Sequence, residues 1–167
     1  MFNKIEKLSE TEFVKAFGNI FENANWIAKK LYKQPFVNFQ DLVKKIIFIF
    51  EKANNQVQLE ILNSHPDLAD KIKIGSLTPD SNEEQSNAGL NQCNEKEFSD
   101  FKNLNLIYKK KFGFPFIIAV KGKNKIEILA NFKKRVLSNK KVEFDEAIKQ
   151  VKKIANFRLE ELKNKYS

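Results

Sequence analysis

Histidine and cysteine are nearly missing from this chain of 167 residues, which holds one of each, His65 and Cys93. A lone cysteine closes no internal disulfide, and one His with one Cys makes no zinc cluster. The reading is therefore a reducing compartment and no metal site. Glycine and proline are scarce as well, at 5 and 4 residues, and the apolar pattern between them is mostly helical. Long hydrophobic runs are lacking. Ile46–Phe50 and Phe114–Val120 are the longest, far short of the roughly 20 residues that span a bilayer. The first residues carry no apolar signal core, and Lys165-Tyr166-Ser167 is not a peroxisomal address. Together these point to a cytoplasmic protein without a membrane segment.

Positive charge is present in excess, with a net +9. Nucleic acid is the obvious large anionic partner for such a chain. Here, however, the lysines are spread along the whole sequence, and Asn, Lys, Ile and Phe are all abundant, the mark of an AT-rich codon bias. A small anionic substrate fits the charge equally well, and nucleic acid is not expected. The non-catalytic alternative is a basic helical nucleic-acid- or protein-binding module, which requires lysines gathered on one face and a steep salt dependence of binding.

The helical pattern starts at the capping box Ser9-Glu10-Thr11-Glu12, with Phe13, Phe17, Ile20 and Phe21 on one face. Asn23–Lys33 carries Trp26, Ile27 and Leu31 at similar spacing. Asn38 caps a third helix bearing Leu42, Val43, Ile46, Ile47, Ile49 and Phe50. Gln56–Asn63 follows with Val57, Leu59, Ile61 and Leu62. It stops at His65-Pro66, because the residue before proline disfavours helix. Ile72–Asp80 reads as loop, with Gly75 and Pro79. Three further boxes are Ser81-x-x-Glu84, Asn94-x-x-Glu97 and Asn124-x-x-Glu127. The second opens a helix with Phe98, Phe101, Leu104, Tyr108 and Phe112, ended by Gly113. The third opens Lys125–Leu137, with Ile126, Leu129 and Phe132 facing inward. A last helix runs from about Val142 to Leu162. The expected fold is all-α, a compact single-domain multi-helix bundle over residues 1–167. It has one extended apolar segment after the Gly113-Phe114-Pro115 turn.

A few residues exceed what packing needs. His65 is the one imidazole available for proton transfer near neutral pH, and a lone histidine is also commonly an idle surface or core residue. Arg158 lies in the last helix's stripe of Phe144, Ile148, Val151, Ala155 and Leu162. A buried guanidinium demands an anion: Glu84, another carboxylate or a ligand. Otherwise Arg158 sits at the stripe's edge and snorkels to water. Ser81–Gln85 forms a helix mouth, either an ordinary cap or an anion site. Ala88-Gly89-Leu90 just beyond keeps side chains small. The extended Phe114–Val120 leaves backbone groups without ladder partners, to be met by a polar ligand, other loops or water.

These segments form an ordered series: His65-Pro66-Asp67-Leu68-Ala69, Ser81-x-x-Glu84-Gln85-x-x-Ala88-Gly89-Leu90, Asn105-x-x-Tyr108-x-x-x-Phe112-Gly113-Phe114-Pro115-Phe116-Ile117, Leu129-x-x-Phe132-x-x-Arg135 and Ile154-x-x-x-Arg158-Leu159. The series covers nearly the whole chain. It resembles the 2-oxo-4-hydroxy-4-carboxy-5-ureidoimidazoline (OHCU) decarboxylase family of urate catabolism. The resemblance implies an all-helical homodimer that decarboxylates OHCU to (S)-allantoin without a cofactor. It implies that His65 is the catalytic proton donor, and that Pro66, the segment Ser81, Asn82, Glu83, Glu84 and Gln85, the segment Phe116, Ile117, Ile118, Ala119 and Val120, and Arg158 bind substrate. Glu84 is read as catalytic too, orienting His65 or the substrate hydroxyl.

Overall fold

Four helices open on polar caps at the positions the sequence marks. The Ser9 hydroxyl accepts from the Glu12 amide while the Glu12 carboxylate accepts from the Ser9 amide at 2.8 Å. Asn38, Asn94 and Asn124 accept from the amides three residues on, at 2.8, 2.8 and 2.9 Å. Each side chain satisfies an amide that the first turn leaves without a helical partner. The computed structural model of the chain describes residues 2–68 and 94–166. Among them, helix is the only regular element: α1 (Phe2–Ile5), α2 (Glu10–Phe17), α3 (Asn25–Tyr32), α4 (Phe39–Glu51), α5 (Asn55–Ser64), α6 (Glu95–Phe112), α7 (Lys125–Arg135) and α8 (Lys140–Lys165). The expected all-α class is observed. The Ile72–Asp80 loop, the Ser81 capping box and Ala88-Gly89-Leu90 lie outside the described residues.

Two compact units result, one of Met1–Ile61 with Lys152–Ser167 and one of Leu62–Val151. In the first unit α2 packs on α3 and α3 on α4. Phe13, Phe17, Leu31, Leu42, Ile46 and Phe50 form much of its core. The sequence reading carries α2 through Ile20 and Phe21, but the helix ends at Phe17 with Gly18 as its C-cap. A Cβ at Gly18 would press on the Val14 carbonyl and on Asn25 Oδ1, so the chain turns closely there. Ile20 and Phe21 are still buried, from the turn rather than the helix. Trp26, expected on the inner face of α3, is 38% exposed. In α4 the expected apolar face is met by Leu42, Ile46, Ile49 and Phe50. Gln58 of α5 donates to the Phe50 carbonyl at 3.2 Å, satisfying an acceptor at the end of α4.

The second unit is built around aromatics. Tyr108 of α6 lies among Phe112, Phe114, Phe116 and Phe132, with ring centroids 4.5 to 5.9 Å away. Phe116 stacks on Phe132 at 3.8 Å. Helix α6 ends on Gly113 in the left-handed region, φ 79°, a conformation that glycine reaches without steric cost. The non-helical Phe114–Val120 that follows is buried along its whole length. Helix α7 ends at Arg135, not Leu137, which is 82% exposed. Its inner face is Ile128, Phe132 and Arg135, with Ile126 turned out to solvent. At 3.6 residues per turn, residue 126 lies about 120° around the helix from Phe132, off the packed face, whereas Ile128 lies about 40° from it. Helix α8 runs beyond its expected ends, opened by Asn139, which accepts from the Val142 amide at 3.0 Å.

Candidate active-site segments

His65 directly follows the last residue of α5, and its amide donates to the Leu62 carbonyl at 3.1 Å. Pro66 then stops the helix. The segment is held from α6 by two residues one turn apart. Asn105 Nδ2 donates to the Leu68 carbonyl at 3.0 Å, and Lys109 Nζ reaches Asp67 Oδ2 at 3.4 Å. Residues four apart share a helix face, so α6 offers one amide and one ammonium to the same stretch of chain. His65 and Pro66 are half-buried while Asp67 and Leu68 are buried. His65 is therefore followed by a stretch of chain fixed from α6 and is itself partly accessible. Lys109 has no sequence signal for this role. The signal available was Asn105 on the apolar stripe of Phe101, Tyr108 and Phe112.

Phe116–Val120 is fixed by two polar side chains from the helices that follow it. Arg135 Nη1 donates to the Ile117 carbonyl at 2.7 Å, and Gln150 Oε1 accepts from the Ala119 amide at 2.9 Å. The Arg135 guanidinium lies over the Phe116 ring, 4.4 Å from its centroid. Arg135 Nε pairs with Glu143 Oε1 at 2.8 Å, and the Tyr108 hydroxyl donates to the same oxygen at 2.7 Å. Burial, reinforced by the Glu143 carboxylate, holds the Tyr108 hydroxyl well above its ordinary pKa, against the opposing pull of Arg135. Tyr108 is thus a fixed neutral donor. Gln150 Nε2 in turn donates to Glu146 at 2.7 Å, which fixes the amide with its oxygen toward Ala119.

Arg158 points inward, 2% exposed, as its place in the stripe suggested. Of the alternatives, another carboxylate is present. Nη2 pairs with Glu22 at 3.1 Å, and Nη1 donates to the carbonyls of Asn19 and Ile20 at 3.2 and 3.3 Å. Snorkelling to water is excluded by the burial. The expected site residues therefore divide between the units: His65, Pro66 and Phe116–Val120 belong to the second, Arg158 to the first. Ser81, Asn82, Glu83, Glu84 and Gln85 lie outside the described residues. Among the described residues no helix is long and apolar enough to cross a membrane, and no cluster of three His, Cys, Asp or Glu suited to a metal occurs.

Residues 6–160 match the family model of OHCU decarboxylase. A uric acid degradation bifunctional protein of Bacillus sp. (strain TB-90) is 41% identical over 160 residues, covering 95% of this chain and 31% of that protein. A 2-oxo-4-hydroxy-4-carboxy-5-ureidoimidazoline decarboxylase of Halalkalicoccus jeotgali is 36% identical over 162 residues, covering 95% of this chain and 90% of that protein. The chain thus spans about a third of the bifunctional relative and nearly all of the other. A crystal structure of OHCU decarboxylase in the presence of (S)-allantoin superposes with a TM-score of 0.72 at 26% identity, covering 93% of this chain and 98% of that one.

Proposed function

The chain belongs to the OHCU decarboxylase family, and from that premise we propose how its residues carry out the decarboxylation of OHCU to (S)-allantoin in urate degradation. In OHCU the carbon that loses CO2 bears a hydroxyl and adjoins a ring C=N bond. When the C–C bond breaks, its electron pair moves into a new C=C bond and the imine electrons pass to nitrogen, which takes a proton. The substrate is its own electron sink. The resulting enol gives up its hydroxyl proton and accepts one at the adjacent carbon. The face of that second protonation sets the (S) configuration.

His65 is the acid–base group of this scheme, serving the substrate hydroxyl or the protonation of the adjacent carbon. A positioned group of this kind contributes about 10²–10⁴ in rate. Glu84 orients His65 or the hydroxyl. Gln85 holds ureido or carbonyl groups, and the backbone of Phe116–Val120 takes the ring amides. The observation that carries the reading is the lone imidazole on a segment tethered by Asn105 and Lys109, inside a family match that runs from residue 6 to 160. The test is His65→Asn assayed with freshly generated OHCU, following (S)-allantoin by circular dichroism. Stereospecific product formation is expected to fall by at least a hundredfold while the far-UV spectrum stays that of the parent. An undiminished rate removes His65 from the mechanism.

A further inference from the structure

We propose that Gln150, acting together with Arg135, is a positioning residue for substrate binding: the two side chains grip one edge of Phe116–Val120 and leave its other edge to the ligand. The inference rests on the reading that this segment binds substrate. Its own basis is the hydrogen-bond pattern of the segment. In an extended chain the amide and carbonyl of alternate residues turn to opposite edges. The two groups held by side chains are the Ile117 carbonyl and the Ala119 amide. They are two residues apart, so both lie on the same edge, the one facing α7 and α8. In an extended segment Ile118, between them, turns its own amide and carbonyl the other way.

Ile118 is buried, 4% exposed, yet among the described residues neither its amide nor its carbonyl has a hydrogen-bond partner. Buried backbone groups are ordinarily paired. A donor and an acceptor side by side on one residue match the N–H and C=O of a cyclic amide or a ureide. Such a ligand takes both bonds only if the segment is held in register. Nothing in the segment itself provides that hold, because it belongs to no sheet. Gln150 and Arg135 provide it from opposite ends, each fixed by a carboxylate of its own, Glu146 and Glu143. Both grips fall within the second unit.

The experiment compares the parent chain with Gln150→Met, Gln150→Glu and the exchange Glu146→Gln/Gln150→Glu. Met keeps the volume and removes the acceptor. Glu at 150 keeps the acceptor but sets a second carboxylate against Glu146. The exchange restores both bonds, with Gln at 146 donating and Glu at 150 accepting from Ala119. The probes are OHCU turnover and calorimetric binding of (S)-allantoin. Gln150→Met is expected to raise KM and the (S)-allantoin Kd about tenfold (about 1.4 kcal/mol) while kcat changes less. The exchange is expected to return both toward the parent values, a recovery that a purely structural role does not predict. Arg135→Lys, which keeps the charge opposite Glu143 but loses the fork, is expected to raise KM less than additively with Gln150→Met. Folded Gln150 variants with parental KM and Kd overturn the inference and leave the functional reading standing. A parent chain that neither turns over OHCU nor binds (S)-allantoin overturns the reading, and the inference with it.

Discussion

Tyr108→Phe removes one oxygen atom from the centre of the second unit, and its effect on stability depends on pH in a calculable way. Tyr108 is fully buried, and its hydroxyl donates to Glu143 Oε1 at 2.7 Å. A hydrogen bond to a charged group contributes about 1.5–3 kcal/mol. Glu143 keeps its bond to Arg135 Nε at 2.8 Å in the variant, so the lower end, about 1.5 kcal/mol, applies at neutral pH. For a chain of this size that is a fall of about 3–6 °C in Tm.

Raising the pH erases this difference. In the unfolded chain a tyrosine ionises near pH 10, whereas burial and then the Glu143 carboxylate hold the folded hydroxyl well above that. Stability from a raised pKa is complete below the unfolded value and is lost as the pH climbs toward the folded one. At pH 11 the unfolded chain has gained about 1.4 kcal/mol by releasing this proton, and the folded chain has not. Phe at 108 has no proton to release. The lysines titrate in both proteins and cancel in the difference. Urea unfolding at pH 7, 9, 10 and 11 is therefore expected to show a gap of about 1.5 kcal/mol through pH 9 that closes almost to zero by pH 11. A gap that stays constant from pH 7 to 11 refutes the buried, carboxylate-bound hydroxyl.

Glu22→Ala takes the carboxylate from the buried Arg158 guanidinium, 3.1 Å away, and is expected to cost about 3–5 kcal/mol in chemical unfolding. A loss below about 1 kcal/mol would mean that the pair is not a buried one. Gly113→Ala meets no atom within 4 Å of its new Cβ, so the left-handed φ of 79° is the whole penalty. The expected cost is about 1–2 kcal/mol, smaller for Gly113→Asn, and equal stability of all three proteins contradicts the left-handed cap.

Helix starts were the most legible feature of the sequence, because a cap is a local event settled within four residues. Ser9, Asn38, Asn94 and Asn124 each needed only their own N3 amide to act. Helix ends and faces were less legible. Ile20 and Phe21 are buried, as their apolarity demands, but burial does not require helix, and Gly18 turns the chain before them. Ile126 and Ile128 are equally apolar. Which of them faces inward depends on what α7 packs against, and that is not local information.

Charged and amide side chains on apolar stripes carry a further signal. Arg158 is one such residue, and it is buried on a carboxylate. The same periodicity places Asn105 between Phe101 and Tyr108, Arg135 after Ile128 and Phe132, and Glu143 and Gln150 on either side of Ala147. Each of these five is buried, and each makes a hydrogen bond to a partner distant in sequence or to the network around the Phe116–Val120 segment. Burial of an unpaired polar group costs too much to occur without a partner, so a polar residue in phase with a core stripe announces a tertiary bond from the sequence alone. What it does not announce is the partner, since Glu22 and Arg158 are separated by 136 residues. Of these stripe residues, Arg135 and Gln150 bond backbone groups of Phe116–Val120, Asn105 the Leu68 carbonyl, and Arg158 the carbonyls of Asn19 and Ile20. A side chain spent on backbone that no sheet or helix supports shapes that backbone, and Arg135 and Gln150 do so for the segment proposed to take the substrate's ring amides.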